Sequence, residues 1–212
     1  MIGRRPATRA PAIALFDLGD VVARWDPAPR LAEYARRSGL TPDEVRARLA
    51  TDRFWQDTDL GRYSADEMEA RICELLGCRI ARAELLRLQA AAFALRPEVL
   101  NIAERAASHS RVGILTNNAP LLREAVPVHL PELVRVFDPI LYSFEFGATK
   151  PARELFERVT SRLGLPAGEI FFTDDQETHV AAARAAGWRA VRFESAAQLE
   201  KSLGWLAESA SH

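Results

Sequence analysis

Four groups of residues, in order along the chain, carry side chains able to work together. Asp17 closes the apolar run AIALFD, and Thr116, Asn117 and Asn118 follow VGIL. Lys150 stands in GATKP, and Asp174 and Asp175 close EIFFTDD. These types suit chemistry on a phosphate monoester. Such an ester is a dianion, so an attacking carboxylate needs its charge offset before it can approach. A hard divalent cation held by carboxylate oxygens does this, and a lysine ammonium adds a second positive charge. Hydroxyl and amide donors can then hold the phosphoryl oxygens. Each residue also has an ordinary use by itself. A strand-end Asp caps turns, Thr-Asn opens helices, a lone Lys decorates a surface, and an acidic pair suits the first turn of a helix. The coincidence of all four at successive strand ends argues for one shared site.

The elements that must position these residues alternate. After AIALFD the next strand-like run is Val112 to Asn117, followed by Asp138 to Ser143, Glu169 to Asp174 and Trp188 to Phe193. Between them lie helical patterns: PEVLNIAERAAS, PLLREAV, ARELFERVTSRLG, THVAAARAAG and SAAQLEKSLGWLAE. Strands alternating with single helices predict right-handed βαβ units and a parallel sheet covered on both faces, a Rossmann-like α/β core. Ligands of such sheets bind beyond the carboxyl ends of the strands, where Asp17, Thr116, Asn117, Asp174 and Asp175 fall.

One stretch breaks the alternation. Residues 23–96 contain no convincing strand but several helical patterns, so they read as a helical bundle inserted into a core formed by 1–22 and 97–212. Thr41 before Pro42, Asp43 and Glu44 predicts a helix start with a capping box, and Ser64 with Glu67 predicts another. The insert leaves from the edge that carries the candidate residues and is placed to cover it.

The order Asp17, Thr116-Asn117-Asn118, Lys150, Asp174-Asp175 resembles the four motifs of the haloacid dehalogenase-like hydrolase superfamily, with residues 23–96 where that superfamily carries a type-1 helical cap. Within it, FDLGDVV, RPEVL at Arg96 to Leu100, and FFTDD resemble the sugar-phosphate phosphatase branch typified by an α-glucose-1-phosphatase. The resemblance implies that Asp17 is the nucleophile and a Mg²⁺ ligand, forming an aspartyl-phosphate. It implies that the Gly19 carbonyl and the Asp175 side chain complete the protein's share of the metal shell, with Asp174 behind them. Lys150 would hold Asp17 and the phosphoryl oxygens, and the Thr116 hydroxyl and Asn117 N–H would donate to phosphate. The dehalogenases of this superfamily carry an aromatic residue where Gly19 stands and use no metal; the paired acids favour a metal-dependent phosphatase.

Two positions depart from that pattern. Most phosphatases of the superfamily have Asp two residues after the nucleophile, as general acid; here it is Gly19. Three explanations stand: water or another group replaces the acid, Asp20 substitutes although it should point to the opposite side of the loop, or the chain binds phosphorylated ligands with little turnover. A dehalogenase-like attack on carbon is the rival chemistry. The second departure is His179, where relatives have Asn or Asp; it either keeps a hydrogen bond to the motif loops or packs as a helix-face histidine. His109, His129 and His212 show no pattern. For substrate contact, Arg24, Trp25, Arg53, Phe54 and Trp55 lie in segments able to face the site, where aromatic platforms and arginine donors suit a sugar or another polar organic phosphate. Phe54 and Trp55 equally suit a small core within the insert.

Composition narrows the partners. A formal charge of −1, with scattered arginines, gives no electrostatic case for nucleic acid or an anionic membrane. Of 28 cations only Lys150 and Lys201 are lysines, and a compact ammonium does not behave as a guanidinium does. No apolar run is long enough to span a bilayer, and the run after the basic start MIGRRPATRAP is cut by Asp17 and Asp20, unlike a secretory leader. Cys73 and Cys78 support neither a disulfide framework nor a zinc site and read as buried structural thiols. The expectation is a cytoplasmic enzyme, monomer or homodimer, acting on a small phosphorylated metabolite with Mg²⁺.

Overall fold

The computed structural model describes residues 9–204. The stretch before them, and the last part of the final helical pattern with His212, lie outside the described residues. A five-stranded sheet forms the core. Its strands are β1 (Ile13–Phe16), β4 (Arg111–Thr116), β5 (Ile140–Tyr142), β6 (Ile170–Asp174) and β7 (Arg189–Arg192), in the order β5-β4-β1-β6-β7. All neighbouring pairs are parallel, with Phe16 beside Ile114 on one flank and Thr173 on the other. Every residue of β1 is fully buried. Its alternation serves both faces, as the two-residue period of a strand requires. Ala14 and Phe16 pack toward α6 (Pro97–Ala106), α7 (Pro120–His129), α8 (Pro131–Val136) and α11 (Ala196–Ser202). Ile13 and Leu15 pack toward α9 (Arg153–Leu163) and α10 (Glu177–Ala185).

The insert is helical but not strand-free. β2 (Ala23–Trp25) and β3 (Phe93–Leu95) form an antiparallel ribbon at its two ends, pairing Ala23 with Leu95 and Trp25 with Phe93. Three residues per strand are too few to show a period in the sequence, which is why they went unread. Between them lie α1 (Ala28–Ser38), α2 (Pro42–Leu49), α3 (Phe54–Asp59), α4 (Ala65–Leu76) and α5 (Arg82–Ala90). Both predicted capping boxes form, with Thr41 accepting from the Glu44 N–H and Ser64 from the Glu67 N–H. Short α3 and α8 were not apparent from apolar spacing.

The insert's apolar cluster does not close on itself. Leu31, Val45, Leu49, Met68, Ile72 and Leu85 pack with Ala119 and Leu121, at the start of α7 in the core. Phe54 belongs to this cluster, 1% exposed and edge-on to Tyr63, so it serves packing rather than ligand contact. A further seam ties the two parts together: the Ser143 hydroxyl donates to the backbone carbonyl of Asp59 at 2.7 Å. Cys73 and Cys78 are half-buried rather than fully buried, and Cys73 Sγ accepts from the Ile80 N–H at 3.3 Å. Among the described residues, no helix is long and apolar enough to cross a membrane.

Candidate active site

The strand ends converge as the motif order predicts. The Asp17 N–H donates to the Thr173 carbonyl at 2.9 Å, fixing the residue after β1 against the end of β6. Lys150 Nζ lies 2.7 Å from Asp17 Oδ1 and 2.6 Å from Asp174 Oδ2, and it donates to the Leu115 carbonyl at 3.2 Å. All three side chains are nearly sealed from solvent. One ligand oxygen from each of Asp17, Asp174 and Asp175 can be chosen so that all lie within 4.8 Å of one another. Three carboxylate oxygens at that spacing are a donor set fit for a hard divalent cation.

The carboxylates are not equivalent. Asp174 is saturated: Oδ1 accepts from the Gln176 N–H at 2.9 Å, Oδ2 accepts from Lys150, and His179 Nδ1 sits 2.9 and 3.0 Å from the two oxygens. Burial would raise its carboxyl, but the His179 hydrogen bond and the Lys150 charge outweigh that and bring it down to about 2. Asp175 is more open, and burial followed by the Asp174 charge pushes it above its ordinary value. For Asp17, burial dominates: the carboxyl rises to about 6 although Lys150 pulls the other way. Burial pulls the Lys150 ammonium down, but Asp17 and Asp174 outweigh it and hold it above its ordinary range. His179 is therefore not a bystander on a helix face; with Nδ1 protonated, its ring orients Asp174.

The polar groups after β4 are arranged by amide chemistry. Thr116 is buried and its hydroxyl oxygen accepts from Asn118 Nδ2 at 2.7 Å, which leaves its own proton to donate elsewhere. The Asn117 side chain is consumed by the Lys150 loop: Oδ1 accepts from the Lys150 N–H at 2.8 Å and Nδ2 donates to the Lys150 carbonyl at 3.0 Å. That reciprocal pair sets the lysine's place.

The loop after Asp17 differs from expectation at Asp20. A residue one further along an extended loop faces away, but Asp20 has φ of 56°, in the left-handed region. Asp20, although exposed, is among the residues lining the same cavity as Asp17, Gly19 and Asp175, and its Oδ1 accepts from the Trp25 N–H at 3.2 Å. Gly19 itself has room: an added Cβ would meet only the Trp25 Cβ, at 3.8 Å.

This cavity, about 480 Å³, runs from the strand ends into the insert. Trp25 and Trp55 line it; Arg24 and Arg53 do not, and both are exposed. In the β2–β3 ribbon Arg24 and Trp25 occupy opposite faces, so only one can turn inward. Sequence reasoning missed Arg30, Asp59 and Gln89, which line the insert side. They sit on α1, α3 and α5, and no motif links them.

Comparison with known proteins agrees with this geometry. The family model of haloacid dehalogenase-like hydrolases matches residues 5–187. The chain is 29% identical to Phosphatase MT3486 of Mycobacterium tuberculosis over 194 residues, covering 87% of this chain and 88% of that one. A family enzyme from Bacteroides thetaiotaomicron, crystallised with magnesium and inorganic phosphate, superposes with a TM-score of 0.73 at 18% identity, covering 87% and 95% of the two chains. The defluorinating L-2-haloacid dehalogenase Rha0230 superposes with a TM-score of 0.61 at 22% identity, covering 87% and 84%. With the motif residues gathered at the strand ends and the family model spanning most of its length, the chain belongs to the haloacid dehalogenase-like hydrolases.

Proposed function

We propose that the protein is a Mg²⁺-dependent phosphomonoesterase that hydrolyses small organic phosphates, sugar phosphates among them, through an Asp17 phospho-enzyme. The observation that carries this is the position of Lys150 Nζ between Asp17 and Asp174, with Asp175 beside them. An attack on a neutral carbon–halogen bond needs no such concentration of acids; a phosphate dianion with a cation does. The similarity to a named phosphatase, and a structural neighbour that holds magnesium and phosphate, support the same reading.

Asp17, Asp175 and the Gly19 carbonyl would hold Mg²⁺, which would supply positive charge to offset the phosphate dianion. Asp17 Oδ attacks phosphorus, the bond from phosphorus to the leaving oxygen breaks, and that oxygen takes a proton from water. Lys150, the Thr116 hydroxyl and the Asn117 N–H hold the phosphoryl oxygens during transfer. Water then attacks the aspartyl-phosphate, and the bond from phosphorus to Asp17 breaks to release inorganic phosphate and the free carboxylate. Asp174 stays behind the metal ligands, and His179 and Gln176 keep its oxygens aimed at Lys150.

The direct test is a panel of phosphate monoesters assayed with Mg²⁺ and after EDTA, with Asp17→Asn as control. Hydrolysis that needs both the metal and Asp17 is expected. Turnover of haloacids that survives EDTA, or metal binding without turnover of any ester, would replace this reading.

A further inference from the structure

The insert side of the cavity holds a second polar group, remote from the phosphate chemistry. Arg30 Nη1 donates to Gln89 Oε1 at 2.6 Å, and Gln89 Nε2 reaches the buried Tyr34 hydroxyl at 3.4 Å. The guanidinium carbon stands 4.9 Å from the centroid of the Trp55 ring. Arg30 is thus held over an aromatic ring by groups that cannot neutralise it. Its Nε is sealed from solvent and has no hydrogen-bond partner.

Asp59 lines the same cavity. Arg30 and Asp59 feel one another's charge, yet among the described residues no direct ion pair joins them. A cation and a carboxylate not joined to one another, in a cavity also lined by Arg46, Trp25, Leu31, Leu49 and Phe93, leave a gap that offers both a donor and an acceptor. A carboxylate in that gap would face Asp59, and an ammonium would face Arg30. A pair of hydroxyls satisfies both, accepting from Arg30 and donating to Asp59, while Trp25 and Trp55 offer flat surfaces to the C–H face of a ring.

Asp59 is also held in register with the phosphate end. Its carbonyl accepts from Ser143 Oγ at 2.7 Å, Ser143 Oγ accepts from the Asn118 N–H at 3.1 Å, and Asn118 Nδ2 donates to Thr116 Oγ1 at 2.7 Å. This chain of hydrogen bonds fixes the separation between the acceptor at Asp59 and the donor at Thr116.

We infer that Arg30 and Asp59 form the specificity subsite of the cavity, recognising adjacent hydroxyls on the ring of a phosphorylated polyol, with Gln89 as the residue that positions Arg30. The inference rests on the phosphomonoesterase reading and names its substrate class. The test compares wild type, Arg30→Met and Asp59→Asn, in the presence of Mg²⁺, on hexose and pentose phosphates, on a carboxylate-bearing glycerate phosphate, and on para-nitrophenyl phosphate. Both variants should lose about tenfold or more in kcat/KM on the sugar phosphates, mainly through KM, and stay within about twofold on para-nitrophenyl phosphate. Equal losses on every ester, or a wild-type preference for the carboxylate-bearing or hydroxyl-free esters, would overturn it. Arg30→Lys, which keeps charge without the fork, should recover little of the sugar-phosphate activity, and retained hydrolysis of para-nitrophenyl phosphate guards against a folding defect. A second readout needs no turnover. Sugar phosphates should quench tryptophan fluorescence of Asp17→Asn with Mg²⁺, and should do so far more weakly once Asp59→Asn is added. If no ester is hydrolysed, the phosphomonoesterase reading fails, while the quench still decides the subsite: unchanged affinity in the double variant refutes it.

Discussion

Lys150 Nζ stands 2.7 Å from Asp17 Oδ1 with both side chains almost sealed from solvent. The same ammonium reaches Asp174 at 2.6 Å, so one point charge serves two carboxylates. A planar guanidinium cannot occupy that place, because its donors lie in a fixed fork. Lys150→Met and Lys150→Arg should therefore both lower kcat by about a thousandfold or more. Steady-state kinetics check this, and an arginine variant near wild-type activity would show that charge alone suffices.

Gly19 is not demanded by the backbone. It lacks a positive φ, and an added Cβ meets only Trp25 at ordinary contact distance. Gly19→Asp should therefore fold, and should place a carboxyl beside the leaving oxygen. Hydrolysis of alkyl phosphates should rise about tenfold while aryl phosphates gain less than about twofold, because aryl leaving groups hardly need a proton. Equal gains on both would refute solvent as the proton source in the native enzyme.

Asp59 gives the fold a pH dependence of definite sign. Burial pushes its carboxyl up to about 7 from 3.8, with Arg30 pulling the other way. A carboxyl raised on folding stabilises fully below 3.8, and that contribution is lost as pH rises through about 7. Urea midpoints of wild type should fall relative to Asp59→Asn, whose side chain never ionises, as pH goes from about 4 to about 8. A constant difference across that range would mean that Asp59 is solvated.

The seam between insert and core is tight at Gly61. It has φ of 74°, and an added Cβ would lie 2.4 Å from the Phe144 carbonyl oxygen. Gly61→Ala should cost about 2 kcal/mol or more in stability, from the left-handed backbone and the backbone clash together. Thermal and urea denaturation measure it; an unperturbed variant would show that the insert moves away from α3's seat without penalty.

The strand-end cluster was more legible than the insert side of the cavity. Asp17, Thr116, Lys150 and Asp174 announce themselves because strand ends and motif order are local properties of the chain. The parallel sheet follows from the same alternation, and the capping boxes at Thr41 and Ser64 need only four residues each. What stayed hidden depends on how elements pack. Arg30, Asp59 and Gln89 look like polar positions of separate amphipathic helices, and only tertiary packing brings them to one cavity. Trp25 was found as a candidate but Arg24 beside it was not separable, because the β2–β3 ribbon that divides their faces is too short to read. The place of Asp20 at the cavity could not be read, because nothing in FDLGDVV reveals its left-handed backbone.

The account stands most directly on where the phosphoryl group goes. A sugar phosphate carrying radiolabelled phosphorus, mixed with enzyme and Mg²⁺ and quenched in acid within one turnover, should leave acid-stable label on a peptide containing Asp17, and none in Asp17→Asn. Phosphate released at full rate with no label on that peptide, or with activity kept in Asp17→Asn, would contradict it.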